Sequence, residues 1–165
     1  MPKELPEEIK KMIGITSVEP VVYEVERGAI RQYAEAVGDN NPIYWDLDYV
    51  KGIGRADLAV PPGFFGEVTS RHFTPPGTEA SDPLFGVITK VREALGLRAV
   101  LNGGNTYESF APICPGDRLF SYVRTKDIFI REGKLGTMGF VLMENRYINQ
   151  NDELVATDTL TFILT

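Results

Sequence analysis

The chain has 165 residues, with 23 acidic and 17 basic side chains, a net charge of −6, 43% hydrophobic residues, one cysteine and one histidine. This composition fits one folded domain over residues 1–165, and an acidic balance with no run of three basic residues argues against a nucleic-acid partner. No apolar run reaches the ~18 residues of a membrane span, the start MPKELPEEIKK lacks the apolar core of a secretory leader, and a lone Cys114 with a lone His72 builds neither an internal disulfide nor a common zinc site. A cytoplasmic protein without membrane attachment, metal or cofactor is therefore expected.

Residues Pro6 to Met12 predict a short helix closed by Gly14, and the β-branched run Val18 to Val25 predicts a strand. In ERGAIRQYAEAVG the apolar residues Ile30, Tyr33, Ala34 and Val37 fall at i, i+3, i+4 and i+7, one face of a helix that ends at Gly38. A polar turn, Asp39-Asn40-Asn41-Pro42, leads to a second short helix over Asp46 to Lys51. After the break at Pro61-Pro62-Gly63, a third helix is expected over Phe64 to His72, then a loop from Thr74 to Pro83.

The last third reads almost wholly as strand. A short strand over Asn105 to Phe110 precedes three long runs, Arg118–Ile130, Leu135–Asn149 and Glu153–Thr165, separated by Arg131-Glu132-Gly133-Lys134 and Gln150-Asn151-Asp152. Runs of this length exceed the ordinary strand of about 5–6 residues. Helices first and long antiparallel strands afterwards make an α+β layout, a strongly curved sheet wrapped around a helix. Asn102-Gly103-Gly104-Asn105 lacks the strand–turn–helix setting of a phosphate loop and reads as a bulge or sharp bend.

The densest polar segment is GDNNPIYWD, Gly38 to Asp46. Pro42 fixes its own φ and holds Asn41 extended, so the loop can aim side chains in a set direction. From spacing alone it is a helix C-cap followed by an Asx turn. Taken together, YAEAVGDNNPIYWD resembles the motif of the MaoC-like family of (R)-specific enoyl-CoA hydratases and 3-hydroxyacyl dehydratases, with matches at Tyr33, Asp39, Asn41, Pro42, Ile43 and Asp46. AVPPGFF (59–65), LNGGNTYESFAPICPGDRL (101–119) and the long-stranded tail resemble the related FAS1-like dehydratases, so the similarity runs from about residue 8 to residue 164. The resemblance implies a hot-dog fold, a long antiparallel sheet around a central helix. It also implies syn hydration of a trans-2-enoyl thioester, or the reverse, with an Asp and a His holding the water and a backbone N–H polarising the carbonyl.

The departure is Tyr44, which stands where the family has its catalytic histidine. A phenol with an ordinary pKa of about 10 donates well near neutral pH and accepts a proton poorly. Asp39 and Tyr44 are thus the candidate catalytic pair, in degenerate form. Asn41, Gly63 and Phe64 are the candidate substrate contacts, with Gly63 the position for an oxyanion amide.

His72, Cys114 and the aromatic run Tyr44, Trp45 and Tyr49 are the further candidates, as replacement base, nucleophile and ligand box. The bland readings are a helix-end cation, a buried small hydrophobe and core. Three functions stay open: a non-catalytic or weakly active subunit that binds an acyl-CoA or acyl-carrier-protein thioester, a competent hydratase using Asp39 with Tyr44, and a hot-dog thioesterase with Glu35 or Glu67 as its carboxylate. The expected assembly is a homodimer, or a heterodimer with an active MaoC-like chain, because long strands leave an open edge.

Overall fold

The computed structural model describes residues 4–17, 19–64, 83–133 and 136–165. In chain order the elements are α1 (Glu7–Lys10), β1 (Val21–Glu24), α2 (Arg27–Ala36), a 3-10 turn (Pro42–Tyr44), α3 (Leu47–Gly52), α4 (Pro83–Leu95), β2 (Val100–Ser109), β3 (Arg118–Gly133), β4 (Gly136–Ile148) and β5 (Leu154–Leu164). The five strands form one antiparallel sheet in the order β1-β3-β4-β5-β2. This is the expected α+β hot-dog architecture, a curved sheet with a helix against it.

The helix against the sheet is α4, which the sequence reading did not single out. Its residues Val87, Ile88, Val91 and Leu95 pack on Ile128, Val141, Met143 and Leu164 of the sheet, with Ile9 of α1 closing the cluster. Their i, i+1, i+4, i+8 spacing is a helical face. A second cluster lies towards the other end of the sheet, where Ile30 and Ala34 of α2 meet Tyr44, Phe64, Ile113, Leu119, Tyr147, Val155 and Ala156. α2 forms as expected, but Val37 is its C-cap and stays exposed, so the buried stripe stops at Ala34.

The strands differ from expectation at their ends. β2 begins at Val100, five residues earlier than read, because the glycine-rich segment stays in the sheet through a register shift between Asn102 and Asn105. Gly104 has φ +107°, and a Cβ on Gly103 would sit 3.0 Å from the side chains of Ile163 and Thr161, so the bulge reading holds for a local reason. β3 and β4 extend to a Gly133–Gly136 pair, beyond the expected turn at Arg131. The next turn is held by Asn149, whose Oδ1 accepts from the amides of Asn151 (2.9 Å) and Glu153 (3.1 Å). The expected helix over Phe64 to His72 and the loop from Thr74 lie outside the described residues except at Phe64 and Pro83. No described helix is long and apolar enough to cross a membrane.

Candidate functional site

The loop after α2 is built by its own side chains. The Asp39 amide donates to the Ala34 carbonyl (2.9 Å), which ends the helix. Asp39 Oδ1 then accepts from the Asn41 amide (3.0 Å), and Asn41 Oδ1 accepts from the Ile43 amide (3.2 Å). Pro42 occupies the first position of the 3-10 turn, where a missing N–H costs nothing. Asp46 caps α3, accepting from the amides of Asp48 (2.9 Å) and Tyr49 (3.0 Å). Trp45 Nε1 donates back to the Asp39 carbonyl (2.9 Å), which closes the loop on itself, and Arg31 of α2 donates to the Trp45 carbonyl (3.0 Å), which ties the loop to the helix.

Tyr44 is turned into the protein and is 6% exposed. Burial pushes its phenol above the ordinary value, and the nearby Asp39 carboxylate pushes it further the same way. The structure therefore places Asp39 and Tyr44 as neighbours, and both influences keep the phenol protonated, so near neutral pH it donates a proton rather than accepts one. Of the other two aromatics in the run, Trp45 packs at the core edge and Tyr49 is exposed.

A hydrogen bond from the Ala59 amide to the Ile43 carbonyl (3.0 Å) brings the proline segment 59–63 alongside this loop. Between that segment, Tyr44 and the stretch 107–113 lies a cleft of about 540 Å³. Ligand sites commonly span ~300–1,000 Å³. Its wall is mostly apolar, with Ile43, Val60, Pro61, Phe110 and Ile113 prominent, and Arg55 at the lining is its cation. Gly63 lines it with φ +81°, a conformation that favours glycine. A Cβ there would stand 2.6 Å from the Tyr33 hydroxyl oxygen, itself 3.3 Å from the Pro62 carbonyl to which it donates.

The cleft thus brings Tyr44 and Gly63 together. Asp39, Asn41 and Phe64 are not among its described lining residues. The side-chain oxygens of Asp39 and Asn41 serve backbone amides. Phe64 is 2% exposed, its ring edge-on to Tyr23 (6.1 Å between centroids) and Tyr33 (5.8 Å). Cys114 is partly buried, and burial raises its thiol, with Asp117 adding to the effect; such a thiol is a poor nucleophile. Glu35 is exposed on α2, while Glu67 and His72 lie outside the described residues.

One polar group escaped the sequence reading. Asp158, in the middle of β5, is fully buried, and Asn105 Nδ2 donates to its Oδ1 (3.2 Å). Burial raises its carboxyl to about 6, against which the bonds from Asn105 and Asn145 pull down. Glu144, next to Asn145 on β4, ends the other way. Burial pushes it up too, but bonds from Lys126 (2.9 Å) and Arg124 (2.6 Å) outweigh that and hold it below the ordinary value. The signal for Asp158 was an alternation in which Ala156, Leu160, Phe162 and Leu164 share its parity on β5.

Comparison with known proteins follows the same line. The model of the FAS1-like, dehydratase domain region matches residues 11–158. A UPF0336 protein of Streptomyces avermitilis is 38% identical over 97 residues, 59% of this chain and 57% of the relative. A probable enoyl-CoA hydratase alpha subunit of Thermomonospora curvata is 26% identical over 132 residues, 78% of this chain and 41% of the relative. The chain thus spans little more than half the length of the Streptomyces relative and less than half of the Thermomonospora one. Among solved structures, the ChsH1–ChsH2 complex of Mycobacterium tuberculosis matches with a TM-score of 0.73 at 23% identity, over 94% of this chain and 86% of that one. The C-terminally truncated HadBC (3R-hydroxyacyl-ACP dehydratase) complex of the same organism matches at 0.67 and 18%, over 92% and 96%. The chain belongs to the FAS1-like dehydratase family and carries the MaoC-like hot-dog fold.

Proposed function

We propose that this chain is the acyl-thioester-binding subunit of a MaoC-like hydratase or dehydratase complex, inactive or weakly active alone. It holds part of the acyl group of an acyl-CoA or acyl-carrier-protein thioester, while a second MaoC-like chain supplies the Asp and His that move the proton. The observation that carries this reading is Tyr44: a buried phenol, raised by burial and by Asp39, replaces the group that must accept and return a proton near neutral pH. The largely apolar cleft beside it suits an acyl chain.

The partner is supported by the sheet edge. β2 is exposed along all ten residues, with Val100, Leu101 and Tyr107 open to solvent and no lysine or proline to blunt it. The names of the T. curvata alpha subunit and of the HadBC and ChsH1–ChsH2 complexes point the same way.

The test is hydration of crotonyl-CoA. The purified chain should show little or no turnover. Tyr44→His rebuilds the family pair and should raise the rate, with general acid–base help typically ~10²–10⁴-fold, and Asp39→Asn in that background should abolish the gain. Adding a MaoC-like chain with the intact motif should give activity that needs both chains. A parent chain that turns over rapidly alone, and loses that rate on Asp39→Asn, would instead establish catalysis by Asp39 with Tyr44.

A further inference from the structure

Asn105 and Tyr107 are two apart on β2 and share a face, and the register sets Tyr107 opposite Asp158, which in turn pairs with Asn145. The Asp158 carboxylate can only accept hydrogen bonds, so it fixes the Asn105 amide with Nδ2 towards itself. The same Nδ2 also lies 3.2 Å from the Tyr107 hydroxyl oxygen, to which it donates. An amide nitrogen has two protons, and this arrangement places one on each partner. The Tyr107 oxygen is therefore the acceptor in that bond, and its own proton must point elsewhere. Among the described residues nothing accepts it. The Tyr107 ring lines the cleft, 3.7 Å from where a Cβ on Gly63 would stand.

From this geometry we infer that Tyr107 is a ligand-binding residue whose hydroxyl donates to the carbonyl oxygen of a bound acyl thioester, held in that role by Asn105 and Asp158 as positioning residues. The inference rests on the acyl-thioester reading above and adds the atom that recognises the thioester. A neutral acceptor is favoured over a carboxylate or phosphate because Asp158, facing Tyr107 across the strand pair, opposes a second anion there. Burial and Asp158 both push the phenol up, so it keeps its proton at working pH.

The probes are hexanoyl-CoA and its thioether analogue S-hexyl-CoA, which differ only at the carbonyl. Binding to the full chain, alone and with the partner chain, is measured by calorimetry. Tyr107→Phe removes one hydroxyl from a residue that is 40% exposed, so folding is not at stake. It should weaken hexanoyl-CoA by ~3–10-fold, the worth of one neutral hydrogen bond, and leave S-hexyl-CoA unchanged. Asn105→Leu should cut the same preference for thioester over thioether; an equal loss for both probes would make Asn105 merely structural. If Tyr107→Phe binds hexanoyl-CoA as tightly as the parent, the donor assignment is overturned while the acyl-thioester reading stands. If the parent binds neither probe, with or without its partner, both fall together.

Discussion

Asp158→Asn should make the protein more stable at neutral pH, and by an amount that grows with pH. The native carboxyl titrates at about 6, against an ordinary 3.8. The folded chain therefore binds more protons than the unfolded chain between those values, and stability falls as pH rises through that window before levelling off above it. The gap corresponds to ~3 kcal/mol at neutral pH. Asparagine keeps the volume and an acceptor oxygen for Asn105, and Asn145 can turn its own oxygen towards the new amide, so the change removes the titration without leaving a hole. Urea unfolding of parent and variant side by side, from pH 4 to pH 8, isolates the effect, because every other group titrates in both. The difference in unfolding free energy should shift in favour of the variant by about 2–3 kcal/mol across that range. A flat difference would mean that Asp158 titrates normally and that burial is not its dominant influence. A shift in favour of the parent would mean that the site stabilises the anion, reversing the argument.

Three other outcomes follow from local geometry. Gly63→Ala puts a Cβ 2.6 Å from the Tyr33 oxygen at a φ of +81°, and should lower stability by at least ~1–2 kcal/mol in thermal or urea unfolding. Asp46→Ala removes the cap that receives the Asp48 and Tyr49 amides, at an expected ~1 kcal/mol, whereas Asp46→Ser should recover most of it. Leu101→Asp puts a charge on the open edge of β2, and should weaken assembly with a second chain by at least roughly tenfold in sedimentation velocity while leaving the monomer folded.

The long strands were legible because long strand-forming runs are separated by short turn segments, and Asn149 and Gly104 sit where a turn and a bulge need them. α2 and α3 were legible through a four-residue stripe and a capping aspartate. α4 was passed over although Val87, Ile88, Val91 and Leu95 trace a helical face, because the proline- and glycine-rich stretch before it masks its start. The cleft was harder. Tyr44 and Gly63 come from motifs, but Tyr107, Phe110 and Ile113 join them only through the pairing of β2 with β5, a contact between residues about fifty apart in the chain. Asp158 looked like one polar letter in a strand, and its burial depends on what tertiary packing lays across that face.

The motif itself mixes two kinds of information. Five of the matching letters have a structural task that survives without any chemistry: Asp39 and Asn41 receive backbone amides, Pro42 starts the 3-10 turn, Asp46 caps α3, and Tyr33 braces Pro62 and Phe64. Losing any of them costs folding energy whether or not a proton is ever moved. Position 44 is tied differently, by packing among Val25, Ile30, Phe64 and Tyr147. A phenol fills that space with a flat ring as an imidazole would, and Tyr44 lines the cleft. The fold therefore constrains the motif tightly at its turn-forming positions and loosely at its base. A subunit released from proton transfer by a catalytic partner would keep the loop, the cap and the cleft, and would be free to change at position 44. That is the pattern this chain presents.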